Sequence, residues 1–260
     1  MGFQQTLGIV YILWLRQLKR YWRSKARMIG SLGQPLLFLL ALGFGFQNIF
    51  AKAGGGDYIQ FLVPGIIAMS ILFTAMFAGI ELIWDRQFGF LKETLVAPVS
   101  RTSIMMGRTL GGATIAFFQG VVVLLISSTL GFRIVGVLSV EGIVLLTSAL
   151  LFMFLIGLLF TTLGTVIASR MQDMQAFPLI MNFLMMPLFF LSGALFPLTG
   201  LPKALKIITL LDPLTYGVDG LRGTLGGASH FGLAVDFGVT FGVLLLALVA
   251  GTWLFSKIEA

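Results

Sequence analysis

The chain has 260 residues, of which 58% are hydrophobic and only 10% charged, with a formal net charge of +7. A soluble domain carries roughly a quarter charged residues, so this composition excludes an ordinary water-facing surface and points to lipid as the solvent. The absence of cysteine excludes disulfides, thiolate chemistry and cysteine-based metal sites.

The single histidine, His230, cannot build a histidine cluster. The pI near 10.1 fits basic residues lying beside an anionic membrane face, and no nucleic-acid-binding module is recognisable. The first residues lack the short apolar core and small-residue cleavage site expected of a signal peptide.

Residues 5–27 read as one amphipathic helix. Leu7, Tyr11, Trp14, Leu18 and Trp22 recur on one face, and Arg16, Arg20, Arg23 and Arg27 on the other. Such a helix lies flat in the headgroup layer. Its basic face serves either as a topology anchor or, in addition, as a surface for a cytoplasmic partner.

Charge-free runs between ionisable residues then predict six transmembrane helices, at about 28–51, 58–84, 108–131, 142–168, 174–196 and 234–256. Each run holds the roughly 20 residues a helix needs to cross the hydrocarbon, and helices satisfy their backbone groups internally. The span interiors read as free of ionisable groups, so no ion relay is expected.

With a cytoplasmic N-terminus, twelve of the 17 lysines and arginines fall on the cytoplasmic side. The positive-inside rule favours that orientation, and six spans return the C-terminus to the same side. Trp14, Trp22, Trp84 and Trp253 fall near the cytoplasmic boundary, where indole rings prefer to sit.

Three places need separate treatment. Glu81, one turn before Asp85, is expected to be a hydrated boundary residue or a partner of Arg86; the alternative is a gate or subunit-interface pair. Residues 85–101, DRQFGFLKETLVAPVSR, present Phe88, Leu91 and Leu95 on one helical face, with Asp85, Lys92 and Glu93 around it, until Pro98 stops the helix. That ridge fits a helix seated in a partner's groove, with rest on the membrane surface as the alternative. In 197–227, Pro197, Pro202 and Pro213 interrupt the apolar run that follows Phe196. We read that stretch as an outer re-entrant region of one or two short helices, and irregular backbone at membrane depth must be buried in protein or line a wet cavity.

No phosphate loop, zinc-protease motif or nucleophile elbow is present in the sequence. Gly107 with Gly111, and Gly157 with Thr161, give the small-x-x-x-small spacing of close helix contacts. The fold class is therefore all-α: a polytopic membrane protein with an N-terminal interfacial helix, a cytoplasmic link helix and outer re-entrant helices, forming one domain over 1–260. Neither a metal nor a cofactor is expected, and membrane lipids are the expected surroundings.

Two stretches resemble a known family. One is Phe88-Gly89-Phe90-Leu91-Lys92-Glu93-Thr94-Leu95-Val96-Ala97-Pro98-Val99-Ser100-Arg101. The other is Leu191-Ser192-Gly193-Ala194-Leu195-Phe196-Pro197, continued by Asp212-Pro213-Leu214-Thr215-Tyr216-Gly217-Val218-Asp219-Gly220-Leu221-Arg222. In order on six spans, they are similar to the ATP-binding-cassette type-2 permeases, in particular the drug-export and nodulation-factor-export branches. Asp212 stands where many members carry asparagine.

The resemblance implies an exporter permease with no ATPase motif of its own. Two permease chains pair and bind two copies of a separate ATPase, whose cleft receives 85–98. Phe88, Leu91 and Leu95 would transmit the motion, with Glu93 and Arg101 as polar anchors. Localisation in the cell or inner membrane, with both termini cytoplasmic, follows from this reading. The competing readings are an ion-coupled secondary transporter and an intramembrane enzyme using His230.

Overall fold

The computed structural model describes residues 3–52, 56–90, 99–136, 139–198 and 202–256. Ten α-helices occur among the described residues, with no strand: α1 Phe3–Arg23, α2 Lys25–Lys52, α3 Tyr58–Phe77, α4 Ile80–Gln87, α5 Arg101–Thr129, α6 Val140–Arg170, α7 Ala176–Leu191, α8 Lys203–Leu211, α9 Pro213–Gly226 and α10 Leu233–Ser256. The all-α class is as the sequence predicts.

Local chemistry starts the helices. Asp57, Ser100, Ser139 and Asp212 accept from the backbone N–H groups of Ile59, Ser103, Gly142 and Leu214 at the entries to α3, α5, α6 and α9. Each satisfies a donor that the helix itself leaves unpaired. Pro213 adds a first-turn proline to α9, where no N–H is needed. Gly227, with φ +78°, ends that helix in the left-handed region.

Five stretches are long and apolar enough to cross a membrane: Lys25–Lys52, Tyr58–Gln87 (α3 continued by α4), Arg101–Thr129, Val140–Arg170 and Leu233–Leu254. The fifth predicted span, 174–196, contains α7, which has 16 residues. At 1.5 Å per residue that is about 24 Å, short of the roughly 30 Å hydrocarbon core. The chain turns there because Ser192 closes the helix and Gly193, at φ +75°, reverses its direction.

The bundle is organised around α3, which packs against α2, α5, α6, α7 and α9. Its apolar window is 72% buried, against 17% for α2, so α3 is a core helix and α2 a peripheral one. Ile29, Leu37, Phe44 and Ile49 of α2, Leu179 and Phe183 of α7, and Leu246 and Val249 of α10 are exposed. An apolar surface of this kind suits lipid and not water.

Small residues let the central helices touch. A Cβ on Gly79 would collide with the Gly164 carbonyl, and one on Gly157 would come to 3.1 Å from the Ala113 oxygen. Gly107 and Gly111 of α5 face Leu13 and Gln17 of α1, and Gly112 faces Thr161 of α6. The predicted small-residue spacing therefore marks real crossings.

Two boundaries differ from the sequence reading. The predicted helix 5–27 breaks at Ser24, so Arg27 belongs to α2. The third span begins at Arg101, two turns before Arg108, because Ser100 caps it there.

Candidate functional site

The sequence places Glu81 and Asp85 one turn apart, and α4 sets both on one face, only 4% and 3% exposed. Carboxylates so deeply placed must be paired to stay ionised. Arg27 reaches Glu81 at 2.9 Å, and Arg16 reaches Asp85 at 3.1 Å. Arg20 lies between them, 3.6 Å from Glu81 and 3.7 Å from Asp85. Arg108, itself buried inside α5, pairs with Asp85 from the other side. The Trp84 ring sits 5.9 Å from the guanidinium carbons of both Arg20 and Arg27, close enough for a cation–π contribution.

Four guanidinium groups thus surround two carboxylates. They tie α1, the first turn of α2 and α5 to α4, and α4 follows directly from the core helix α3. Arg86 does not join this hub. It donates to the Met171 and Ser169 carbonyls at 2.8 and 2.9 Å, capping the end of α6. The expectation that Glu81 is hydrated or pairs with Arg86 is therefore corrected: Glu81 is buried and held by Arg20 and Arg27. The expectation of charge-free span interiors is corrected as well, since Arg108 lies two turns inside α5.

The hub changes the reading of α1. Arg16 and Arg20 turn inward to α4, while Arg23 is exposed. Trp14 donates to Thr114 of α5 at 3.0 Å, and the exposed Trp22 sets its edge against Phe118 of the same helix. The helix is thus sewn to α5 along one side.

The predicted link segment begins where α4 ends. Phe88 is 69% exposed at that end, and Gly89 adopts φ +81°, which breaks the helix. The helix that carries Asp85 therefore ends at Gln87. Leu91, Lys92, Glu93, Leu95 and Pro98 lie outside the described residues. Arg101 opens α5, exposed.

A cavity of about 480 Å³ adjoins the hub between α2 and α3–α4. Phe73, Phe77 and Pro35 form apolar walls, while Arg27, Gln34 and Trp84 add polar groups. The Trp84 Nε1 is buried with no partner.

At the opposite end of α3, the region predicted as 197–227 forms α8 and α9. Phe196, Pro197 and Pro202 are exposed. Asp212 caps α9 ahead of Pro213, and Tyr216 donates to the Leu210 carbonyl at 3.0 Å. Burial pushes the Asp212 carboxyl up to about 7, against a smaller opposing effect of the Leu214 N–H. Arg222 donates to Gly193 at 3.1 Å and lies over the Phe61 ring. Desolvation lowers its pKa to about 10, opposed by the nearby Asp219. The buried α9 thus plugs the bundle beside the turn that ends α7.

Sequence reasoning missed Arg108, because charge was read as a span boundary. The cap signal Ser100-x-x-Ser103 could have placed the helix start two turns earlier.

The chain matches the ABC-2 type transporter family over residues 9–225. It belongs to that family. It is 30% identical to a Cyanophora paradoxa protein named transport permease ycf38, over 98% of this chain and 89% of that protein. Nodulation protein J of Rhizobium meliloti is 29% identical, over 81% of this chain and 79% of its own length. Porphyra purpurea ycf38 is 32% identical, over 77% and 68%. As an ABC-2 permease, the chain is a membrane transport protein, and the family resemblance read from its two motifs is borne out.

Proposed function

We propose that this permease is the membrane subunit of an ATP-driven exporter. Two copies pair, and two copies of a separate ATPase bind their cytoplasmic face. The ionic hub carries this reading. It lies immediately before the segment that the family likeness assigns to ATPase contact, and it connects that segment to α1, α5 and the core helix α3 through buried ion pairs. A push at Phe88 would therefore move several helices as a unit. ATP can drive transport only if its binding favours one arrangement of those helices.

On this reading both termini are cytoplasmic, α7 completes a sixth crossing together with the turn after it, and α8 and α9 form the outer re-entrant end. The membrane is the cell or inner membrane. Phe88, Leu91 and Leu95 are the transmitting contacts, and Lys92, Glu93 and Arg101 the polar ones around Pro98. Arg23 and the outer face of α1 border the same partner. Phe196, Pro197, Pro202, Tyr216 and Asp212-Pro213 shape the exit.

The cargo is amphipathic. The cavity beside the hub pairs aromatic walls with Arg27 and Gln34, and its size is within the usual range for ligand pockets.

Co-purification with the ATPase tests the proposal. Phe88→Asp should abolish the complex or its ATP-stimulated transport while leaving the permease folded. An intact, fully stimulated Phe88→Asp complex would remove the coupling role.

A further inference from the structure

The apolar span α2 carries one polar stripe. Arg27, Ser31 and Gln34 stand at i, i+4 and i+7, on one face of the helix. All three line the cavity between α2 and α3–α4, and Phe73 and Phe77 line it from α3. The two sides run antiparallel, since Gln47 meets Tyr58 at one end and Arg27 meets Glu81 at the other. Pro35 and Phe73 are each eight residues from that ion pair, about 12 Å along their helices. The lining therefore grades from ionic to apolar over that distance.

The charge at the ionic end is unbalanced. Arg16, Arg20, Arg27 and Arg108 face Glu81 and Asp85, and no other carboxylate pairs with them among the described residues. Two positive charges remain. Lys19, Arg23 and Lys25, close by in the chain, are exposed and add to the excess. Asp173 accepts from the Gln175 N–H and does not offset it.

The cavity meets the cation more than the acid. The Glu81 side chain is 5% exposed and lies between Arg20 and Arg27. Arg27 is one-third exposed and gives only Nη1 to Glu81, and its remaining N–H groups bond no described residue. Gln34 is exposed and makes no hydrogen bond to a described residue. Inside a membrane span an amide left in that state is costly, and a polar atom of a bound molecule would satisfy it.

We propose that the cavity selects amphiphiles with an acidic head: an alkyl or acyl chain ending in a phosphate, sulfate or carboxylate. The anion pairs with Arg27, the atoms joining head to chain meet Gln34, and the chain lies against Phe73 and Phe77. A guanidinium holds such oxyanions by charge-assisted hydrogen bonds that a neutral head cannot match, and it repels a cationic one. The selection rests on the amphipathic-cargo reading of this cavity and adds the sign of the head's charge.

Radiolabelled hexadecyl phosphate, hexadecyl glycerol ether and hexadecyl trimethylammonium, added to the full chain in phosphatidylcholine nanodiscs and to empty nanodiscs, test this. The phosphate should bind saturably and about tenfold more tightly than the ether, as for one charge-assisted hydrogen bond, and the trimethylammonium should show no saturable binding. Arg27→Gln should bring the phosphate to the ether's affinity and leave the ether unchanged, while Gly30→Trp should abolish both. If Arg27→Gln fails to fold, the ranking of the three heads on the unsubstituted chain decides. Equal affinities for phosphate and ether, both lost in Gly30→Trp, would overturn the acidic-head selection and leave the amphipathic-cargo cavity standing. No saturable binding of any head would overturn both. A phosphate preference that survives Arg27→Gln or Gly30→Trp would also overturn the proposal, placing the anion on exposed cations such as Lys19 and Arg23.

Discussion

Arg27 and Glu81 are 54 residues apart in sequence and 2.9 Å apart in space. The pair fixes the first turn of α2 to α4, and Arg108 does the same for α5 through Asp85. The two carboxylates differ in what they would leave behind. Arg27 is one-third exposed and can turn to water, whereas Arg108 is 6% exposed and cannot. Asp85→Ala should therefore destabilise the detergent-solubilised protein by about 3–5 kcal/mol, clearly more than Glu81→Ala. Replacing both partners, as Asp85→Leu with Arg108→Met, should recover most of the loss. Thermal unfolding of the three variants beside the unsubstituted protein checks this.

The glycines make opposite predictions by position. A methyl group on Gly164 meets the Met76 backbone, while one on Gly33 meets nothing. Gly164→Ala should cost about 1–3 kcal/mol through overpacking. Gly33→Ala should be neutral or stabilise by up to about 1 kcal/mol through helix propensity. The same unfolding measurement separates them.

Asp212 predicts a pH dependence. Its folded-state pKa, about 7, lies above the ordinary carboxyl value of 3.8 because the group is buried. The folded state therefore holds the proton more tightly than the unfolded one. The associated stability is present below the ordinary value and is lost as pH rises towards 7. Asp212→Asn keeps an oxygen for the Leu214 N–H and removes the charge. It should flatten that slope and stabilise above pH 7 by up to about 4 kcal/mol, at about 1.4 kcal/mol per unit. Unfolding midpoints from pH 5 to 9 would show it.

Gly30 lines the cavity beside the hub, and its Cβ position is open. Gly30→Trp should fill that space and suppress transport several-fold, with the unfolding midpoint unchanged, if amphipathic cargo enters there. Reconstituted transport with a fluorescent amphiphile is the readout.

The membrane helices were legible because long apolar runs have no other stable solvent. Tyr58–Gln87 follows the predicted 58–84 closely. What stayed hidden was pairing. Arg108 and Asp85 are far enough apart that no local pattern links them, so Arg108 read as the edge of a span when it is the buried centre of a hub. The end of α7 was hidden differently: the apolar run continues past Leu191, and only the left-handed Gly193 reveals the turn. The ridge Phe88, Leu91 and Leu95 was read as one helix face, yet Gly89 interrupts the backbone between its first two members.

Because the chain has no cysteine, one engineered thiol reports a single location. The most direct measurement is cross-linking from Phe88→Cys, with Leu205→Cys on α8 as the control, in membranes containing the permease and its ATPase. Phe88→Cys should join the permease to the ATPase, and the yield should change when ATP is bound, while Leu205→Cys should give no such product. Cross-links from position 205 with none from position 88 would contradict the proposed coupling.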